Sequence, residues 1–238
     1  MKRKICECLL DLLFPRRCPI CDDIVSGKGM LICVSCKRKI KYVTEPYCKK
    51  CGKGLTDNEK EFCFDCSQHS VNYDAGRALY EYNTIQESVY RFKYMGRREY
   101  ASFYGQQIAE QLREQFREWK VEALVPVPMY KSKKRRRGYN QAEELAGAIG
   151  KCLKLPVYAN LVSRIRCTTP QKKLSRSERQ NNLKKAFKIC ADDVKLGVVV
   201  VIDDIYTTGS TIDEIAKELK RAGVVQVYFI TLAIGNGL

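Results

Sequence analysis

Val198-Val-Val-Val-Ile-Asp-Asp-Ile-Tyr-Thr-Thr-Gly-Ser-Thr211 is the stretch on which the reading of this chain turns. Its five β-branched residues, Val198 to Ile202, predict a strand covered on both faces, as in a parallel α/β sheet. Asp203 and Asp204 then fall at the strand's C-terminal end, where open α/β sheets place their ligands. Thr207, Thr208, Gly209, Ser210 and Thr211 follow, offering backbone N–H groups and hydroxyls with no bulky side chain in the way. A helix predicted from Ile212 to Arg221 adds the positive end of its dipole, which suits a phosphate. Two carboxylates beside a phosphate cradle suit the adjoining hydroxyls of a ribose, or a divalent cation. A sugar phosphate satisfies all of these parts. Thr211 with Glu214 also reads as a plain capping box.

The full strand, acid pair, turn and helix resemble the phosphoribosyl-diphosphate (PRPP) signature of type I phosphoribosyltransferases. The resemblance implies that Asp203 and Asp204 hold the ribose 2′- and 3′-hydroxyls and that Thr207 through Thr211 wrap the 5′-phosphate.

Thirteen cysteines in a small secreted chain would read as disulfides, but their spacing points elsewhere. Eight of them form the Cys-x-x-Cys pairs Cys18/Cys21, Cys33/Cys36, Cys48/Cys51 and Cys63/Cys66, with eleven residues between successive pairs. Each pair turns two thiolates toward one ion, and two pairs complete a tetrahedral Zn–S₄ site. Four pairs therefore predict two structural Zn²⁺ sites, in which four thiolates leave no open position for water or substrate. Equal spacing leaves the partnering open between tandem ribbons and an interleaved cross-brace; sequential pairing closes the shorter loops. Cys6, Cys8, Cys152, Cys167 and Cys190 are expected as buried or half-buried free thiols, and His69 as a surface residue.

The chain of 238 residues has room for one medium domain and a small one, divided at residues 1–70 and 71–238. Its first residues start like a signal peptide, but the apolar part is short and broken by Glu7 and Asp11. With no apolar run long enough to span a membrane, the cytoplasm is the expected address. The formal charge of +16 favours a polyanionic partner. Two filled Cys₄ sites, each formally −2, would lower it only to about +12.

After residue 70 strands and helices alternate, which predicts a mainly parallel sheet. Strands are expected at 75–82, 122–128, 198–202 and 224–233, and one helix over 99–119. Thr84 with Glu87, and Asn140 with Glu143, offer capping boxes. Two basic segments, read as loops, interrupt the scaffold. Residues 131–137 carry six positive charges in seven, and residues 160–188 hold nine basic residues against one acid. Cations this dense suit pyrophosphate or a nucleic-acid backbone. Lys133, Lys134, Arg135, Arg136 and Arg137 are the candidates for nucleic acid, with Phe92, Tyr94, Tyr100, Tyr130 and Tyr139 as possible base-stacking partners or core.

In order, the chain presents the Cys-rich module, Arg91-Phe-Lys-Tyr-Met-Gly-Arg97, Val125-Pro-Val-Pro128, Arg137-Gly-Tyr-Asn-Gln-Ala142, Thr169-Pro-Gln171 and the acid pair. This order resembles the ComF/ComFC family of bacterial competence proteins over nearly the whole chain. The resemblance implies a double zinc ribbon joined to a type I phosphoribosyltransferase-like α/β domain, binding PRPP with Mg²⁺. It further implies the handling of incoming single-stranded DNA in natural transformation, with other competence proteins as partners. Met129, Tyr130 and Lys131 then occupy the diphosphate loop, and Lys172, Lys173 and Arg176 a mobile hood over PRPP. The alternative is an active phosphoribosyltransferase with an unnamed base or amine acceptor. No room for a glutaminase domain exists before residue 70, so ammonia release from glutamine is not expected.

Overall fold

The computed structural model describes residues 15–25, 27, 29–166, 183, 185–191 and 194–235. Strands β1 (Gly76–Glu81), β2 (Ala123–Pro126), β5 (Val198–Tyr206) and β6 (Gln226–Ile234) form one sheet in the order β1-β6-β5-β2. Every pairing in it is parallel. Strands β3 (Val162–Arg164) and β4 (Phe187–Ile189) make a separate antiparallel pair.

The apolar run of β5 is buried because helices cover both faces of the sheet. Side chains alternate across a strand, so Val199 and Val201 enter one core with Phe229 of β6 and Ile212, Ile215 and Leu219 of helix α8 (Ser210–Arg221). Val200 and Ile202 enter the other. There they meet helices α3 (Tyr82–Tyr94), α4 (Tyr100–Gln111) and α7 (Gln141–Leu153), through Ile85, Phe92, Ile108, Leu145 and Ile149. All four of these β5 side chains are fully buried, each worth about 1.5–3 kcal/mol in removal from water. The sheet's edges are covered too: Tyr42 bridges Tyr80 of β1, and Val157 bridges Leu124 of β2.

Several local expectations are corrected. The helix expected over 99–119 is two, because the backbone turns at Leu112 (φ −114°, ψ 14°) before helix α5 (Arg113–Glu118). That turn lets Leu112 and Phe116 both stay buried. Helix α3 begins before Thr84, whose hydroxyl donates back to the Glu81 carbonyl at 2.8 Å. Asn140 does cap α7, accepting from the Ala142 N–H at 3.2 Å. The basic stretch read as a loop is helix α6 (Lys131–Arg137), closed by Gly138 at φ +88°. Only glycine adopts that left-handed value readily. Cys152 and Cys190 are exposed, not buried. Among the described residues, no helix is long and apolar enough to cross a membrane.

Candidate functional site

The eight paired cysteines gather into two clusters, Cys18, Cys21, Cys33 and Cys36, and Cys48, Cys51, Cys63 and Cys66. Within each, all four Sγ atoms lie within 4.8 Å of one another. Cys21 and Cys33 Sγ are 3.8 Å apart, and Cys51 and Cys63 Sγ 3.7 Å. Thiolates at ~2.3 Å around a tetrahedral zinc stand ~3.8 Å from one another, so both clusters fit Zn²⁺. Partnering is sequential. Each cluster joins a tight turn (Asp22 N–H to Cys18 O, 2.9 Å; Gly52 N–H to Cys48 O, 2.8 Å) to the first turn of a short helix, α1 (Val34–Lys37) or α2 (Phe64–Gln68). His69 is exposed and stands apart from both clusters, its Nδ1 3.1 Å from the Asp65 carbonyl oxygen.

The two ribbons meet the α/β part differently. The first clamps α3 and α4 from outside: Asp22 accepts from Arg97 Nη2 at 2.8 Å and from the Tyr100 hydroxyl at 2.5 Å, and Arg91 Nη2 donates to the Ile20 carbonyl at 2.5 Å. Burial opposes ionisation of Asp22, but the Tyr100 hydroxyl and Arg97 guanidinium hold its carboxyl below the usual range. The second ribbon lies in the core itself, where Cys48, Cys51 and Cys63 are buried with Tyr73, Ala78 and Phe229.

At the carboxyl end of β5 opens a cavity of about 530 Å³, lined by Asp203, Asp204 and the whole turn from Thr207 to Thr211, with Lys93, Tyr94 and Lys133 opposite. Every residue expected at the acid pair and phosphate turn is therefore brought together. The turn is shaped by Gly209, the N-cap of α8 at φ +74°; a Cβ there would stand 2.6 Å from the Tyr206 hydroxyl oxygen. Helix α8 consequently starts at Ser210, which replaces the expected Thr211–Glu214 box. Glu214 instead accepts from the Lys185 N–H at 3.0 Å, and the Thr208 and Ser210 hydroxyls face each other at 2.9 Å. First-turn N–H groups have no carbonyl four residues back, and they lie at the positive end of the helix dipole.

The strand continues through the acid pair to Tyr206, beyond the expected end at Ile202. Asp203 and Asp204 thus share extended backbone, and both still line the cavity. Asp204 accepts from Lys93 Nζ at 2.8 Å and from Gln141 Nε2 at 3.2 Å. Asp203 accepts from the Asp204 N–H at 2.8 Å. Burial and then the neighbouring Asp204 charge push the Asp203 carboxyl up to about 7, partly countered by Lys93 and Arg164. Burial also opposes the charge on Lys93, but the Asp204 carboxylate more than offsets it and holds the ammonium above its usual range.

Lys93 and Gln141 lie within the quoted segments Arg91–Arg97 and Arg137–Ala142, but the sequence gives neither a role at the acid pair. A signal for Lys93 was present: Ile85 and Val89 are buried at i and i+4 on α3, and Lys93 continues that stripe where an apolar residue belongs. Gln141, the first residue of an amphipathic helix, has no break in periodicity to mark it, only its place in the Arg137–Ala142 segment.

A second cavity of about 200 Å³ shares Asp203, Asp204 and Lys93 with the first and adds Met129, Arg137 and Arg164. Of the expected diphosphate loop, Met129 lines this space, whereas Tyr130 and Lys131 line neither cavity. Lys133 and Arg137, expected at nucleic acid, line this region as well. Lys134 is paired with Glu143 at 2.6 Å, and Arg135 and Arg136 are exposed. Lys172, Lys173 and Arg176 lie outside the described residues. Phe92, Tyr100 and Tyr139 are core; Tyr94 is exposed.

A parallel α/β sheet carrying an acid pair and a glycine-capped turn, preceded by two Cys₄ clusters, defines a zinc-ribbon α/β protein with a ligand cavity at its sheet end. Residues 9–67 match the double zinc ribbon domain. The chain is 31% identical over 226 residues to competence protein F of Haemophilus influenzae, covering 92% of this chain and 97% of that one. Competence protein ComFC of Bacillus subtilis is 28% identical, covering 81% of this chain and 79% of that one. The DNA utilization protein YhgH of Escherichia coli is also 28% identical, with coverage of 91% and 96%. The chain belongs to this competence protein F/ComFC/YhgH family. A solved purine phosphoribosyltransferase from Pyrococcus horikoshii Ot3 aligns with 57% of this chain and 88% of its own, at 13% identity and a TM-score of 0.33.

Proposed function

We propose that the 530 Å³ cavity binds PRPP as its magnesium complex and that the basic surface beside it holds single-stranded DNA, as part of DNA handling by a competence protein. The observation that carries this reading is the convergence of Asp203, Asp204 and the Gly209-capped turn on one cavity. The turn's N–H groups and the hydroxyls of Thr207, Thr208, Ser210 and Thr211 suit a 5′-phosphate. The two carboxylates accept from the ribose hydroxyls, with Lys93 holding Asp204 in place and partly neutralising the pair. Magnesium would travel on the ligand's diphosphate and spread its charge. Met129, Lys133, Arg137 and Arg164 border the space into which that diphosphate would extend. On this reading residues 1–70 are a structural zinc module and residues 71–238 the ligand-binding domain, in a cytoplasmic protein whose partners include other competence proteins.

A second reading, transfer of the ribosyl group from the bound PRPP to an unnamed base or amine acceptor, rests on the same acid pair and turn. Turnover would release pyrophosphate; binding without pyrophosphate release supports the first reading.

Calorimetric titration of PRPP and Mg²⁺ into the zinc-loaded protein tests the ligand: saturable one-site binding is expected, and no binding to the folded protein would refute it. The nucleic-acid half rests on charge. Replacing Lys133, Lys134, Arg135 and Arg136 by Ala is expected to weaken binding of an oligothymidylate. Because Lys134 already serves Glu143, about three counterion-releasing contacts are lost, flattening the log K against log salt slope by about 2. An unchanged slope would take α6 out of the nucleic-acid surface.

A further inference from the structure

A third cavity of about 190 Å³ lies against the first and is lined by Lys93, Tyr94, Gly96, Lys133, Arg136 and Arg137. Four cations and no carboxylate line it. Three of its residues, Lys93, Tyr94 and Lys133, also line the cavity at the acid pair, so the two spaces share a wall. On the outer side of that wall α3 exposes two aromatic rings. Tyr90 is 55% and Tyr94 52% exposed, and as an i, i+4 pair they stand on one face with ring centroids 5.1 Å apart. The Arg137 guanidinium sits 4.9 Å from the Tyr94 ring. Neighbouring Met95 is 56% exposed, which extends the apolar patch.

Lys93 is already paired with Asp204, and Lys133, Arg136 and Arg137 add further positive charge around the same concavity, which favours an anion there. Exposed aromatic faces beside a cationic groove are the two parts from which single-stranded nucleic acid is bound without sequence preference, by base stacking and by gripping the backbone. A duplex would not use them, because its bases are already stacked on one another. We infer that Tyr90 and Tyr94 form a base-stacking ladder, that the cation-lined cavity holds a backbone phosphate of the same single strand, and that this occupant excludes PRPP from the adjoining cavity. The exclusion follows from the shared wall: a phosphate drawn to Lys133 and a nucleotide against Tyr94 take the groups that border the ribosyl ligand. This inference rests on the PRPP and single-strand reading above, and it makes those two ligands competitors.

The test uses the full zinc-loaded chain and a 5′-fluorescein oligothymidylate of about twenty nucleotides, followed by fluorescence anisotropy. Tyr94→Ala, at an exposed position, should weaken oligonucleotide binding about tenfold while keeping the salt slope of the parent protein. Arg136→Ala should reduce that slope by about 0.7. Affinity for a duplex of equal length should not respond to Tyr94→Ala. Saturating PRPP with Mg²⁺ should raise the apparent Kd of the oligonucleotide at least about tenfold. Unaltered oligonucleotide binding by Tyr94→Ala, with circular dichroism unchanged, would overturn the stacking ladder. Independent binding of PRPP and oligonucleotide would overturn the exclusion. A protein that takes up the oligonucleotide through Tyr94 but binds no PRPP would refute the ribosyl reading and the exclusion together and support the ladder.

Discussion

Asp204→Asn is expected to lower PRPP affinity about 10- to 100-fold, the equivalent of the ~1.5–3 kcal/mol carried by a charge-assisted hydrogen bond. The substitution acts twice. It removes the anionic acceptor proposed for a ribose hydroxyl, and it leaves the Lys93 ammonium, now 2.8 Å from a carboxylate oxygen, without its counter-charge. Removing one member of a buried ion pair costs about 3–5 kcal/mol of stability, so a loss of binding in this variant alone could reflect a loosened fold. Lys93→Met combined with Asp204→Asn separates the two. The double variant relieves the stranded charge and should recover thermal stability relative to Asp204→Asn, while PRPP affinity stays low. Recovery of affinity along with stability would mean that Asp204 is only a structural partner of Lys93. Gln141, which donates to the other Asp204 oxygen at 3.2 Å, fixes the carboxylate's orientation in the parent protein.

Cys48→Ser should reduce bound zinc from two ions per chain to one and should weaken PRPP binding as well. A structural zinc supplies its ribbon's folding energy, about 10–16 kcal/mol of metal binding in isolated zinc-finger peptides. The second cluster also shares its core with the sheet. From that core a continuous set of contacts reaches the phosphate turn. The Tyr73 hydroxyl meets the Tyr206 hydroxyl at 2.7 Å, Tyr206 stacks on Phe229 at 5.0 Å between ring centroids, and Gly209 backs directly onto Tyr206. Loss of the second ribbon removes one wall of this packing. Cys21→Ser is the comparison, because Cys21 is exposed and its ribbon grips α3 and α4 from outside. It should also lose one zinc, with a smaller fall in PRPP affinity. Two zinc ions retained by Cys48→Ser on metal analysis would contradict the assignment of that cluster. Equal effects of the two substitutions on PRPP would contradict the coupling.

What could be read from the sequence was what is carried by short windows. The β-branched run of β5, the acid pair and the small-residue turn lie within fourteen consecutive residues, from Val198 to Thr211, and each is a local consequence of side-chain shape. Cysteine spacing showed four ligand pairs, but its regularity could not choose between tandem and interleaved ribbons; the folded turns around Cys18 and Cys48 make that choice. Long-range partners were less accessible. Lys93 reaches Asp204 from a helix more than a hundred residues away in sequence that packs on the Val200–Ile202 face of the sheet, and only its place on the Ile85–Val89 stripe hints at burial. The basic segment 131–137 reads as a loop because it directly follows a strand end and carries no apolar periodicity. The left-handed Gly138 cap and the Lys134–Glu143 ion pair support a helix that no window of seven residues displays. The Thr211–Glu214 box failed for a related reason, since Gly209 provides the cap and Glu214 is engaged by the Lys185 N–H.

Whether the acid pair and the glycine-capped turn hold one phosphoribosyl ligand is decided by a crystal structure of the zinc-loaded protein with PRPP and Mg²⁺. The 5′-phosphate is expected within hydrogen-bond distance of the backbone N–H groups between Thr208 and Thr211, with the ribose hydroxyls on Asp203 and Asp204. The diphosphate should point toward Met129 and Arg137. A ligand bound elsewhere on the basic surface, with the turn left unengaged and the acid pair contacting only Lys93 and Gln141, would contradict that binding mode.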